Sequence, residues 1–135
     1  MKVIVAGGRH FRGTLKHKKW LIKTLRRLNA TILVWGCCEG ADAFGYKVAK
    51  SIGMKDAKFP ADWYDFSEPC FIKIDKRGRK YNALAGFNRN AKMAEFADAC
   101  ILFPGGNGTS DMRKQAQKNN LTIVNYTDNV ESSFQ

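Results

Sequence analysis

The sequence predicts a single α/β domain with a mostly parallel sheet of about five strands and helices on both faces. Short apolar runs alternate with amphipathic stretches, and glycine-containing loops join them. The apolar runs are rich in β-branched residues, as is typical of buried strands. A chain of 135 residues with 44% hydrophobic content is also long and apolar enough to build one core.

The first half of the chain contains two strand–loop–helix units and the start of a third. The first helix would place Trp20, Leu21, Leu25 and Leu28 on one apolar face. Gly53 has the position of a glycine that ends the second helix. The predicted elements are strands over 2–6, 31–35 and 57–59, and helices over 14–28 and 41–52.

The second half returns to the same alternation after an insertion. Residues 64–85 break the pattern, and their alternation around a glycine turn predicts a small β-hairpin or lid. We expect the domain to cover residues 1–128 and the polar residues 129–135 to form a frayed tail. The remaining predicted elements are helices over 91–97 and 109–118, and strands over 99–103 and 122–126.

Four loops follow the carboxyl ends of predicted strands. In open parallel sheets, ligands bind beyond these ends, where the order of the strands reverses. We therefore expect one ligand site built from several loops. They are residues 7–13, 36–42, 60–65 and 104–111.

The last of these loops is the most informative. Gly105, Gly106 and Gly108 allow a tight turn and a close approach of backbone to a ligand. Thr109 or Ser110 would cap the helix that follows. A helix N-terminus behind such a turn suits a phosphate. The alternative is an ordinary strand-to-helix turn with no ligand.

Charged residues near these loops are candidate ligand contacts. Arg9 and Arg89 could each clamp a phosphate in a bidentate way, or could be surface charge. Asp42 and Asp111 follow glycine turns at helix starts. They could contact a ribose or a base, or simply stabilise the helix dipole.

The loop after the third strand adds Asp62 and Trp63. Asp62 could accept hydrogen bonds from a ribose, and Trp63 could stack on a base. The alternative for Trp63 is packing beneath the insertion.

The net charge is +11, and the positive charge is unevenly spread, since no Asp or Glu precedes Glu39. Such a charge favours anionic partners. A second basic run covers residues 73–80, where Asp75 is the one acid. This charge could serve a nucleotide or a nucleic-acid backbone. The alternative is a basic surface with no specific partner.

The sequence lacks the signatures of several other classes. The four cysteines and two histidines form no zinc pattern, so we expect no metal and no cofactor. The absence of a signal peptide or a long apolar run predicts a cytoplasmic protein with no membrane contact. There is no G-x-G-x-x-G after the first strand, no P-loop and no serine or cysteine triad.

Taken in order, the loop motifs resemble the YspA-like branch of the SLOG superfamily, found in bacteria and bacteriophages. The resemblance covers residues 3 to about 125. It implies a Rossmann-like domain that binds a nucleotide or a nucleotide-derived ligand such as ADP-ribose, in the host cytoplasm if the protein is viral. It adds Gly7, Gly8, Gly40 and Asn90 to the expected ligand-binding residues. The matching motifs are 7–11, 36–42, 59–63, 85–93 and 103–109.

The chain is more distantly similar to the LOG family of phosphoribohydrolases. Arg89 and Met93 match that family's arginine and methionine, and residues 104–109 match its glycine turn. Asn90 stands where LOG proteins have a lysine. Met112 stands where they have the catalytic glutamate, with Asp111 one residue early. One helical position rotates a side chain by about 100°, so we expect Asp111 not to point at the atom that the LOG glutamate reaches.

The sequence is compatible with three functions. The first is a nucleotide-binding module that senses or sequesters its ligand. The second is an enzyme that splits a nucleotide at its N-glycosidic bond, as LOG proteins do, or at a phosphate bond, with Asp111 or Asp42 as the carboxylate and Arg89 beside it. The third is single-stranded nucleic-acid binding through the basic helix and residues 73–80, by analogy with the related fold of DprA. Related folds form dimers, so a homo-oligomer is also an expectation.

Overall fold

A computed structural model describes residues 1–127 and shows a Rossmann-like α/β fold. The predicted domain end at residue 128 and the predicted tail over 129–135 lie outside the described residues. The helices are α1 (Leu15–Arg27), α2 (Ala41–Ser51), α3 (Ala85–Phe96) and α4 (Asn107–Lys118). The strands are β1 (Lys2–Ala6), β2 (Ile32–Trp35), β3 (Lys55–Lys58), β4 (Ile72–Ile74), β5 (Lys80–Asn82), β6 (Ala99–Leu102) and β7 (Thr122–Asn125).

Five of these strands form one parallel sheet in the order β3-β2-β1-β6-β7. From β1 the chain adds strands outward to β3, and it then crosses back to place β6 on the other side of β1. The order therefore reverses between β1 and β6, and ligands of open α/β sheets bind beyond the carboxyl ends of the strands at such a point. The predicted sheet and its number of strands are confirmed.

Helices cover both faces of this sheet, as predicted. Successive strand residues point to opposite faces, so Val3 and Val5 pack with α1 and α2, whereas Ile4 packs with α3 and α4. Leu21 of α1 and Met112 of α4 are buried in the two layers. Both layers are apolar, so each face of the sheet is removed from water.

The insertion forms the predicted hairpin, in which β4 and β5 pair antiparallel in a sheet of their own. Gly78 takes a positive φ of 80° in the turn between them. Two predicted helix starts were wrong. Residues 85–90 already belong to α3, although Gly86 and Asn88 are weak helix formers, because Ala85 and Asn90 are buried there.

The second wrong start concerns α4. Neither Thr109 nor Ser110 caps this helix, because its N-cap is Gly106 and Ser110 N already donates to Gly106 O at 3.0 Å. No side chain caps the first turn. The N–H groups of that turn are therefore left for water or a ligand.

Candidate functional site

A large cavity lies where the strand order reverses, at the carboxyl ends of β1 and β6. Its volume is about 680 Å³, which is in the range of small-molecule sites. Ten of the fourteen predicted ligand-binding residues line it: Gly7, Gly8, Arg9, Asp42, Arg89, Asn90, Gly105, Gly106, Gly108 and Thr109.

Two glycine loops meet to form the floor of this cavity. Gly8 N donates to Pro104 O at 2.8 Å, which ties the loop after β1 to the loop after β6. A Cβ atom on Gly105 would lie 2.1 Å from Thr109 Oγ1 and 2.7 Å from Gly8 N. Only glycine fits this crossing, so the loops are held close and their backbone faces the cavity.

Gly40 does not line the cavity but holds a third loop against the first. Its φ is +77°, and a Cβ atom there would lie 2.2 Å from Gly8 O. Ala41 N, in the first turn of α2, donates to Gly8 O at 3.1 Å. The start of α2 is therefore fixed beside the loop after β1.

Arg89 is held in place on the wall of the cavity. Its Nη1 donates to Gly36 O at 2.6 Å and its Nε donates to Asn90 Oδ1 at 3.1 Å. Nη1 also lies 3.5 Å from Cys38 Sγ. These contacts leave part of the guanidinium for a ligand, since it carries five N–H donors. A positive charge with a fixed direction suits an anion.

Asn90 connects Arg89 to α4. It is buried, and its Nδ2 donates to Gly108 O at 3.3 Å and to Asp111 Oδ2 at 3.0 Å. Asp111 is not among the residues that line the cavity. Met112, the next residue along α4, does line it. The side chain at the position of the LOG glutamate thus faces the cavity as a methionine, and Asp111 faces Asn90.

Asp42 is the buried carboxylate of this cavity, with 8% of its surface exposed. Its Oδ2 accepts a hydrogen bond from Gly36 N at 3.1 Å. Burial raises the pKa of Asp42 to about 6, although the charge of Arg89 and backbone N–H groups act in the opposite direction. A carboxyl group that titrates near neutral pH can donate or accept a proton.

Asp62 and Trp63 do not line the large cavity. Asp62 lines a second, small depression of about 70 Å³, which Arg89 and Lys92 also border. Trp63 is exposed on the hairpin side, 6.4 Å from Tyr81 between ring centroids. No residue of 43–88 is among those that line the large cavity, so the hairpin does not close it as a lid.

A scan against protein-family models finds no match, and a search of curated proteins finds no significant relative. The YspA-like and LOG resemblances therefore stay predictions that rest on the quoted motifs. The fold is established independently of them by the sheet order and the two helical layers.

The sequence had not singled out some residues that line the cavity. Cys38 and Glu39 lie in the predicted loop 36–42, and His10 and Phe11 lie in the loop after β1. Their position in these loops was the available signal. The direction of their side chains was not a signal, because three of the four, His10, Cys38 and Glu39, are exposed loop residues that follow no periodic pattern.

Two negative findings complete the description of residues 1–127. None of their helices has the length and apolar character required to cross a membrane. Among the same residues, no three His, Cys, Asp or Glu side chains are grouped as a metal site would need.

Proposed function

We propose that the protein binds a phosphorylated nucleoside or an ADP-ribose-like ligand in the large cavity, as a sensor or sequestering protein. The observation that carries this proposal is the position of an uncapped helix start, two glycine loops and two arginines around one cavity. Helix N–H groups and guanidinium groups both favour phosphate. The volume of about 680 Å³ is sufficient for a nucleotide.

The phosphate would lie against Gly105, Gly106, Gly108 and Thr109, beside Arg9 and Arg89. Arg9 is exposed at the rim, where it can reach a charged ligand from solvent. Asp42, which shares Gly36 as a hydrogen-bond partner with Arg89, would accept a hydrogen bond from a ribose or a base. Its lower charge below pH 6 would favour an anionic ligand there.

Calorimetry with ADP-ribose, AMP and adenosine tests this proposal, together with mass spectrometry of the ligand released on heating. We expect the phosphorylated compounds to bind and adenosine to bind at least about tenfold more weakly, since a charged hydrogen bond contributes about 1.5–3 kcal/mol. Arg9→Gln should cause a similar loss. Arg12→Gln is the matched control, because Arg12 is exposed in the same loop but does not line the cavity. Equal affinity for adenosine and AMP would refute a phosphate site.

A second candidate function is hydrolysis of the bound nucleotide, which the buried Asp42 favours. Of the two carboxylates expected from the sequence, Asp42 borders the cavity, whereas Asp111 is bonded to Asn90. Product analysis after incubation with a nucleotide panel would reveal turnover. If turnover occurs, Asp42→Asn should abolish it and Asp111→Asn should reduce it less. An absence of products with every nucleotide that binds would leave binding as the function.

A further inference from the structure

The hairpin segment exposes an unusual number of large aromatic side chains. Trp63 is 41% exposed, Tyr64 is 50% exposed and Phe71 is 58% exposed. Aromatic side chains of this size are normally covered, because each removes a large apolar area from water when it is buried. A group of them on one segment indicates a contact surface.

Hydrogen bonds hold this segment in a defined shape. Asn82 is buried, and its side chain bonds to Phe71 N, Leu84 N, Asp65 O and Pro69 O. The backbone of Asn82 also donates to Trp63 O at 2.6 Å. The exposed rings are therefore attached to a fixed support.

The register of the hairpin divides its side chains between two faces. Lys73 lies opposite Tyr81, whereas Ile74 lies opposite Lys80. Because neighbours along a strand point to opposite faces, Arg79 lies on the side of Tyr81. Phe71 lies on the same side, because the Nζ atom of Lys73 is 5.6 Å from the centroid of the Phe71 ring.

Contacts with the preceding loop extend this side of the hairpin. Arg79 Cζ lies 4.9 Å from the centroid of the Tyr64 ring, and the rings of Trp63 and Tyr81 meet edge to face at 6.4 Å. We call this surface the aromatic–cationic face. It consists of Trp63, Tyr64, Phe71, Lys73, Arg79 and Tyr81.

The charge of the hairpin points to a polyanionic partner. Residues 71–82 contain five Lys or Arg residues and one acid, Asp75. Asp75 is engaged within the turn, where its Oδ1 accepts from the backbone N–H groups of Arg77 and Arg79 and its Oδ2 lies 3.7 Å from Arg79 Nε. The preceding loop has three acids, and each has a partner: Asp62 accepts from Tyr64 N, Asp65 accepts from Ser67 N, and Glu68 pairs with Lys92. A second copy of this chain would bring an equally positive hairpin against the first, so self-association through this face is disfavoured.

We propose that the aromatic–cationic face binds single-stranded nucleic acid, with bases stacked on the exposed rings and phosphates beside Lys73 and Arg79. Alternating aromatic rings and cations are the chemistry that single strands require, because every base offers a flat face and every linkage a negative charge. The site is separate from the large cavity, which no residue of 43–88 lines. It therefore does not depend on the function proposed for the cavity.

Fluorescence anisotropy of a labelled oligothymidylate tests this proposal on the full chain. We expect binding at low salt that weakens as salt is added. Trp63→Ala and Phe71→Ala should each weaken binding by about fivefold or more, from the stacking contribution of one base. Arg79→Gln should weaken binding more than Lys80→Gln and should lower the salt slope by about one.

The opposite face of the same hairpin supplies the control. Ile72 and Ile74 are 54% and 65% exposed there, so Ile72→Ala and Ile74→Ala remove similar apolar surface without touching the proposed site. These variants should retain binding to within about twofold. Circular dichroism and thermal unfolding would establish that each variant is folded. If Trp63→Ala does not fold, the binding measured for Phe71→Ala tests the role of the exposed rings.

Three results would overturn the proposal. The first is an oligonucleotide that does not bind at low salt. The second is an equal loss of binding from substitutions on the two faces. The third is binding to vesicles that contain phosphatidylserine but not to the oligonucleotide, which would identify the face as a membrane contact.

Discussion

The buried carboxyl group of Asp42 makes the stability of this protein depend on pH in a predictable direction. In the folded protein its pKa is raised from 3.8 to about 6, mainly because burial disfavours the charged form. The folded state therefore keeps its proton to a higher pH than the unfolded chain. Asp42 stabilises the fold least when it is ionised, so its contribution falls as pH rises from about 4 through 6.

The size of this effect follows from the shift. One pKa unit corresponds to about 1.4 kcal/mol, so a shift of about two units corresponds to roughly 3 kcal/mol. Asn has nearly the same shape as a protonated Asp, and its oxygen can accept the hydrogen bond from Gly36 N. The free energy of unfolding of Asp42→Asn minus that of the unmodified protein should therefore increase by about 2–3 kcal/mol when the pH is raised from 4 to 7.5.

Urea unfolding of both proteins at several pH values measures this difference. Groups that the two proteins share cancel in the comparison, so only the titration of residue 42 remains. Asp111→Asn is the control for the Asp-to-Asn change itself, because Asp111 is also partly buried and hydrogen-bonded, to Asn90, but does not line the cavity. A difference between Asp42→Asn and the unmodified protein that does not change with pH would refute the reasoning. So would a difference that changes in the opposite direction.

Two further predictions concern the loops and the core. Gly40→Ala should lower the free energy of unfolding by at least about 2 kcal/mol, because φ is +77° and the new Cβ would lie 2.2 Å from Gly8 O. Gly108→Ala, which meets no atom within 4 Å at a helical position, should change it by less than about 1 kcal/mol in thermal or urea unfolding. Leu21→Ala should cost about 2–5 kcal/mol, since Leu21 is fully buried. Leu15→Ala, at a position that is 65% exposed, should cost under about 1 kcal/mol, and equal losses for the two leucines would contradict the described burial.

Much of the fold could be predicted because the residue types within each short segment indicate whether it forms a strand, a loop or a helix. The run over Lys2–Ala6 has no polar residue after Lys2, and glycine loops separate the strands from the helices. Alternation of these units permits little besides a parallel sheet with helices on both faces. The hairpin was also visible, because a glycine turn lies between two short alternating runs.

Helix ends were less predictable, since tertiary contacts override weak local preferences. Gly86, Asn88 and Asn90 are weak helix formers, yet α3 begins at Ala85, and both Ala85 and Asn90 are buried in the fold. The N-cap of α4 was misplaced for a related reason. The crossing of Gly105 with the loop after β1 fixes where the helix can begin, and no side chain in the sequence marks that point.

The sequence by itself determined the alternation of elements, the loops at the strand ends and the basic character that favours an anionic partner. These depend on residue type and spacing alone. Only the tertiary structure decided which predicted residues share a cavity. Crossing from β3 back to β6 brings Arg89 beside Gly36 and Asp42, residues that are far apart in the chain. Asp62 and Trp63 follow β3, which is the edge strand of the sheet, and neither of them lines the cavity at β1 and β6.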